Sequence, residues 1–274
     1  MKTLRCVRSM CACWKVVCRY SHPMNIMNKK PLFIALRVTL ITFVIGNVIA
    51  WISGAAPIKF AEIPFSTAEQ SMIADGATSS ATEKDAQSIA MIYFLHNRLD
   101  EAAAMVEQAR AEQGASDSLT ALAAAIEVKQ AGARLDLLFG QRKLWQLKQA
   151  LTQLKSVSDK VPEQFDVQLL ALWAFASVPD ISDSAANAQI ISHRITPVLN
   201  RHGIPQPLAA SAWLGLTRLS LYLADEGDEE SQASAQANAR MAWQAYQQIG
   251  FHPAWLQQES DVLEQEMKEL PEHG

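Results

Sequence analysis

The sequence predicts an all-α protein in which a single N-terminal transmembrane helix precedes an α-solenoid of paired antiparallel helices. Three observations support this fold class. Residues 32–52 form one long apolar run, apolar residues recur at helical spacing from residue 82 onward, and clusters of β-branched residues are scarce outside the apolar run. The 274 residues are enough for one or two domains with a substantial hydrophobic core.

The apolar run predicts a membrane anchor. Residues 32–52 contain one charged residue, Arg37, and Trp51 lies where an interfacial aromatic side chain is expected. All basic residues of the N-terminal region that lie outside the run precede it, so we expect a basic cytoplasmic stub at 1–30, a signal anchor at 31–53 and an exported body at 57–274. This topology predicts a single-pass protein of the bacterial inner membrane with its body in the periplasm.

Two other interpretations of the N-terminal targeting sequence remain. The uncharged stretch 38–52 is followed by Ser53-Gly54-Ala55, which also fits a cleaved signal peptide. The basic, acid-free start of the chain fits a mitochondrial transit peptide less well, because serine is sparse. Residues 1–23 are either a short cytoplasmic stub or the result of a translation start assigned too far upstream, since Met24 precedes a sequence typical of a signal anchor.

All four cysteines lie before the apolar run. Thiolates can bind zinc or an iron–sulfur cluster, but these spacings differ from the usual paired C-x2-C pattern. We therefore expect no metal and no cofactor, and a cysteine-free exported body is compatible with a periplasm. The four residues are Cys6, Cys11, Cys13 and Cys18.

Charge is divided unevenly along the chain. Residues 1–56 carry eight basic and no acidic residues, whereas residues 57–274 carry 16 basic and 28 acidic residues, a net charge of −12. An acidic body repels the phosphate backbone, which argues against nucleic acid as the partner.

The body divides into a linker and a helical domain. Residues 54–81 are predicted to be a juxtamembrane linker in which Ser66 and Glu69 form a capping box that starts a short helix, ended by a break at 75–80. A helical-repeat domain follows at 82–274, with its first helix at 82–96 and its second from Leu99 to Gly114. Further helices are predicted near 117–131, 134–157, 163–177, 184–201, 207–224, 231–249 and 254–269.

The unit 83–116 resembles a tetratricopeptide repeat. Ile89-Ala90 occupies the family's Leu-Gly pair, Tyr93 its first aromatic position, and the turn 97–102 its Gly-x-Tyr/Leu-x-Glu-Ala pattern. Small, large and small residues follow on the second helix at Ala102, Val106 and Ala109. The unit departs from the family at Ala86, Ala90 and Gly114, where tryptophan, glycine and proline are expected.

The resemblance implies a partner groove on the inner face of the first helix. Met91, Phe94 and Leu95 are apolar for an exposed surface, so packing against the next hairpin remains the competing interpretation. By resemblance the groove residues are Lys84, Gln87, Met91, Phe94 and Leu95. Packing between helices is also the favoured interpretation of Trp145, Trp173, Trp213, Trp243 and Trp255.

No motif for catalysis is present, so we expect no enzymatic activity. His193 and His202 are interpreted as residues near a helix end, and the acidic run 225–230 as a solvated loop in preference to a cation site.

The predicted function is a membrane-anchored, exported scaffold or adaptor that binds protein segments at the cell envelope. Its expected partners are envelope or inner-membrane proteins. The alternative is a small-ligand-binding accessory of a periplasmic transport system, with a pocket lined by Trp173, Trp213 or Trp243.

Overall fold

The structure is a computed structural model that describes residues 29–52, 56–78, 83–137, 140–201, 203–226 and 228–271. Within these ranges the protein is all-α and has no β-strand, as the sequence predicts. A 3-10 turn at Ala254–Leu256 precedes the last helix. The helices are α1 Lys29–Ala50, α2 Thr67–Thr78, α3 Glu83–Leu95, α4 Leu99–Gln113, α5 Asp117–Ala133, α6 Gln141–Lys160, α7 Phe165–Ser177, α8 Ser184–Leu199, α9 Gln206–Glu226, α10 Glu229–Gln247 and α11 Gln257–Glu269.

Consecutive helices pack as hairpins. Each of α3, α5, α7 and α9 contacts the helix that follows it, and short connections make the two helices of each pair antiparallel. The first helices also contact one another in order, α3 with α5, α5 with α7, and α7 with α9. The hairpins therefore stack side by side, with one core running between them.

The core is made mainly of alanine and leucine. Helices α5 and α7 contribute its centre, where Leu119, Leu122, Leu172 and Phe175 are almost completely buried. A second cluster around Leu214 and the carboxyl-terminal helices closes the far end of the stack. Small residues at the hairpin contacts let the helix axes approach closely.

Helix α1 covers most of the segment predicted to be a membrane anchor. No helix within the described ranges combines the length and the apolar character that crossing a membrane requires. The predicted stub lies outside the described residues except for the first residues of α1.

The predicted capping box is confirmed at the start of α2. The Glu69 carboxylate accepts hydrogen bonds from the backbone N–H of Ser66 at 2.8 Å and from its hydroxyl at 2.6 Å, and the Glu69 N–H donates back to Ser66 Oγ at 3.3 Å. The break predicted at 75–80 is wrong over its first part, because α2 continues to Thr78. Gly76 lies against the Ile89 side chain of α3, so its missing Cβ permits this packing.

The single helix predicted at 134–157 is also wrong at its start. The chain leaves α5 at Arg134 and is not helical through Leu137. Gly140 has φ +76°, a left-handed conformation that favours glycine, and α6 begins at the next residue. The Asp136 carboxylate accepts the Lys143 N–H at 2.9 Å and so satisfies a donor in the first turn of α6.

The other predicted helix ends agree closely with the structure. Asn97 turns the first hairpin with φ +62°, and Gly114 ends α4 with φ +89°. The acidic run 225–230, predicted to be a solvated loop, is exposed but largely helical, because α9 continues to Glu226 and α10 begins at Glu229. Between the two helices, the Asp228 carboxylate accepts the Ser231 N–H at 3.0 Å and caps α10.

Candidate functional site

An extended segment, residues 56–66, lies across the helix ends of the first two hairpins, and we call it the strap. Two backbone-to-backbone hydrogen bonds join the described strap to the helical domain. The Ile58 N–H donates to the Gly132 carbonyl at 2.9 Å, and the Ile63 N–H donates to the His96 carbonyl at 3.2 Å. The Asn97 side-chain amide adds a bond to the Ala61 carbonyl at 2.8 Å. Residues 56–66 of the predicted linker 54–81 therefore lie against the helical domain.

His96 joins the strap to α2 and α3. Its side chain is almost fully buried, and both ring nitrogens have partners. Nδ1 lies 3.1 Å from the Ile63 carbonyl oxygen, and Nε2 lies 3.0 Å from Glu69 Oε1. Phe65 packs on the imidazole with ring centres 4.7 Å apart, which closes the site to water. A buried histidine with two polar contacts can position three chain segments at once.

Arg98 holds the outer side of the strap. Its guanidinium lies 3.2 Å from the Glu62 carboxylate and 5.0 Å from the centre of the Phe65 ring. A further ion pair of 3.5 Å connects it to Glu101 in the first turn of α4. These contacts bind the turn of the first hairpin to the strap.

The start of the strap is held by Lys143. Its ammonium group donates to the Ala56 carbonyl at 2.8 Å. Burial lowers the pKa of Lys143, and the negative charge of Asp136 opposes that effect. Next to this contact, the Trp51 indole N–H donates to the Asp136 carbonyl at 3.4 Å. Trp51 directly after α1, the strap and the start of α6 therefore meet at one edge of the domain.

An open groove of about 780 Å³ lies between the strap and the ends of α4, α5 and α6. Ile58 and Phe60 of the strap form one wall. The polar lining contains equal numbers of bases, acids and amides: Lys59, Arg98, Arg134, Glu62, Asp100, Glu101, Asn97, Gln130 and Gln146. A groove with donors and acceptors along its length suits a peptide backbone with mixed side chains better than a single anion.

Of the sequence-predicted groove residues, Gln87, Met91, Phe94 and Leu95 do not line this groove. Phe94 is 8% exposed and belongs to the main core, and Met91 and Leu95 pack partly buried against that core. Gln87 is half-buried and faces α7. The side chain of Lys84 lies outside the described part. Core packing thus accounts for Phe94, whereas Gln87 and Met91 remain partly accessible.

Gln87 is part of a polar cluster across three first helices. Its amide donates to Asp166 Oδ2 at 3.4 Å, and the Ser118 hydroxyl donates to the same oxygen at 3.2 Å. The three residues lie on α3, α5 and α7, so the cluster follows the stack of hairpins. This inner face presents polar groups beside the apolar Met91.

The chain matches no family model, no curated protein and no solved structure. Its function is therefore inferred from the groove, the inner face and the strap.

The histidines singled out from the sequence do not form a site in the described ranges. His193 is exposed on α8, and His202 lies outside the described residues, as do all four cysteines. His252 stacks on Tyr246 with ring centres 4.2 Å apart. Among the described residues, no three His, Cys, Asp or Glu side chains are grouped to hold a metal ion.

The tryptophans divide into two groups. Trp243 is buried, and Trp173, Trp213 and Trp255 pack partly buried against the cores. Trp173 also donates to the Ser211 hydroxyl at 2.8 Å. Trp145 is 63% exposed on α6, so the interpretation as helix packing is wrong for this residue. None of these tryptophans lines the open groove.

Proposed function

We propose that the chain is a membrane-anchored, exported scaffold whose stacked helix hairpins bind protein segments at the bacterial cell envelope, without catalysis of its own. The groove beside the strap carries this proposal, because its mixed lining fits an extended peptide. Its partners are envelope or inner-membrane proteins.

The arrangement of the hairpins supports the tetratricopeptide-like part of the proposal. In helical-repeat proteins the first helices of successive hairpins lie next to one another and line a concave surface. Helices α3, α5, α7 and α9 are neighbours in this way. The left-handed Asn97 lies between α3 and α4, within the turn segment 97–102 on which the resemblance rests.

The chemistry of the groove favours a peptide over a small metabolite. Arg98 is already paired with Glu62 and Glu101, so its charge is largely compensated. Amide side chains such as Gln130 donate and accept, which matches the alternating groups of a peptide backbone. Ile58 and Phe60 supply apolar contact area along the same wall.

The exposed surface of α1 favours contact with lipid, although α1 does not combine the length and the apolar character of a membrane-crossing helix. Its side chains between residues 36 and 49 include large apolar groups that are exposed, and a helix of this kind is stable when lipid covers it. The exposed residues are Leu36, Val38, Leu40, Ile41, Phe43, Val44, Ile45, Val48 and Ile49. A tether of this kind raises the local concentration of the groove near other membrane proteins.

Site-specific photocrosslinking in intact membranes tests the binding surface. A photoreactive amino acid at Gln130 probes the groove, and one at Met91 probes the inner face. The matched control is Glu107 on the outer face of α4, whose side chain is 73% exposed. We expect crosslinks from Gln130 to an envelope protein and none from Glu107. Equal crosslinking from all three positions, or none from Gln130 and Met91, would contradict the proposal.

A fusion of alkaline phosphatase to Gly274 tests the topology separately. Export of the body makes the fused enzyme active, and deletion of residues 32–52 abolishes that activity. Inactive fusions at normal expression would contradict the topology. Resistance to an alkaline wash then distinguishes an uncleaved anchor from a cleaved signal peptide.

A further inference from the structure

We propose that the loop 134–137 and the first turns of α6 form a face that docks onto anionic phospholipid headgroups. We call it the docking face and define it by Leu135, Leu137, Leu144, Trp145, Arg142 and Lys148. The proposal rests on the membrane anchor of the proposed function, and adds that the helical body lies in a fixed position against the bilayer.

The docking face lies where the apolar N-terminal segment ends. Trp51 is the next-to-last residue of the apolar run, and its indole donates to the Asp136 carbonyl within the loop. Lys143 holds Ala56, the first residue of the strap, at the start of α6. An anchor that leaves the hydrocarbon near Trp51 therefore brings the loop to the level of the headgroups.

Large apolar side chains are exposed at this edge. Leu135 is 58% exposed and Leu137 is 53% exposed, on either side of the buried Asp136. Leu144 and Trp145 follow in the first turn and a half of α6, and both are exposed. Leucine and tryptophan at the boundary of a bilayer insert their apolar parts among the acyl chains while the indole N–H remains near the headgroups.

The charge of the same segment is opposite to that of the body. Residues 134–158 carry five basic residues and one acidic residue, a net charge of +4 within a body of net charge −12. Arg142 and Lys148 are exposed, and they lie three residues before and after Trp145, so the three side chains share one side of α6. This combination of tryptophan, leucine and exposed bases on one helix face is typical of helices that lie on anionic membrane surfaces.

Labelling of the full chain in lipid vesicles tests the docking face. After Cys6, Cys11, Cys13 and Cys18 are replaced by serine, single cysteines are introduced by Trp145→Cys, by Leu137→Cys and by a control, Met241→Cys. Met241 is 61% exposed on α10 and matches Trp145 in exposure. Each cysteine carries an environment-sensitive fluorophore, and lipids with a spin label near the headgroup quench it only at the bilayer surface.

We expect quenching at positions 145 and 137, and none at 241, in vesicles of phosphatidylglycerol and phosphatidylcholine. Adding Arg142→Gln and Lys148→Gln to the Leu137→Cys chain lowers the ratio of docked to undocked protein about thirtyfold. Each base strengthens binding to an anionic surface independently, so the two losses multiply. Vesicles of phosphatidylcholine alone, or high salt, also reduce the quenching at positions 145 and 137.

Other outcomes overturn the proposal in distinguishable ways. A chain that stays with the vesicles after an alkaline wash, but shows no quenching at 145 and 137, keeps the anchor and refutes the docking face. A blue shift at these positions without lipid quenching means that a protein surface, such as a second copy of the chain, covers the face. A chain that washes off and shows no quenching refutes both the anchor and the docking face.

Discussion

Nε2 of His96 and Oε1 of Glu69 lie 3.0 Å apart and join the turn of the first hairpin to the short helix that follows the strap. The other ring nitrogen contacts the strap itself at the Ile63 carbonyl. Because His96 is only 1% exposed, water does not replace either partner when a contact is lost. The His96–Glu69 pair is therefore one of the contacts that hold the strap on the helical domain.

The first prediction is that His96→Ala destabilises the protein and releases the strap. Removing a buried ring with two polar contacts leaves a cavity and unpaired groups, at a cost of about 2–4 kcal/mol. Urea unfolding of the full chain in detergent measures the free energy of unfolding. Hydrogen exchange measures strap release, as faster exchange at the Ile58 and Ile63 amides.

The control is His193→Ala, since His193 is exposed on α8. We expect this variant to change the free energy of unfolding by less than about 0.5 kcal/mol. Slow exchange at Ile58 and Ile63 in the His96→Ala variant would mean that other contacts hold the strap.

The second prediction concerns acid and the Glu69 capping box. Burial raises the pKa of Glu69, but the hydrogen bonds from Ser66 and His96 outweigh it and lower the pKa below its usual value of 4.5. The stabilisation is therefore complete above the unfolded-state pKa and is lost as the pH falls through the lower folded-state pKa. Unfolding measured from about pH 6 to about pH 3 should show a decline that Glu69→Gln reduces.

The matched control for this pH series is Glu112→Gln, which removes an exposed carboxylate from α4. It should keep the decline of the unaltered chain. If Glu69→Gln and Glu112→Gln gave the same profile, the capping box would not contribute to acid sensitivity.

Helical periodicity in the sequence was enough to predict the hairpins, because apolar spacing and turn residues are local signals. The left-handed Asn97 and the helix-ending Gly114 are of this kind. The predicted break at Gly76 is wrong because this glycine packs against Ile89 of another helix. The pattern of a single helix contains no information about such neighbours.

The strap was harder to predict from sequence. The spacing of roughly two residues between successive apolar positions is typical of an extended, half-buried segment: Ile58, Phe60, Ile63 and Phe65. A proline-containing stretch next to an apolar run is, however, also typical of a linker. The groove depends on that strap, so its residues could not be named before the structure placed the strap on the helix ends.

The third prediction separates core packing from partner binding on α3. Phe94 is in the core, so Phe94→Ala should cost about 3–5 kcal/mol of unfolding free energy. Met91 is only partly buried, and Met91→Ala should cost about 1 kcal/mol. Urea unfolding of both variants under one condition measures the difference. Similar costs for the two substitutions would place Phe94 on an accessible surface, as the resemblance alone suggested.

The last prediction is a rise of stability with pH caused by Lys129 on α5. Its ammonium group lies 4.5 Å from the centre of the Phe94 ring and 2.9 Å from Asn97 Oδ1, at the base of the strap. Burial lowers the pKa of Lys129 to about 8, and the negative charge of Glu259 opposes that effect.

The direction of the effect follows from the proton held by each state. Between the folded-state pKa of about 8 and the usual value of 10.5, the unfolded chain binds a proton that the folded chain has lost. The free energy of unfolding therefore increases as the pH rises through this window. In Lys129→Met this increase should be largely absent, whereas Lys160→Met, which removes an exposed base, should keep it. Urea unfolding of the three chains at pH values across the window provides the measurement, and equal slopes in all three would show that Lys129 stays charged in the folded protein.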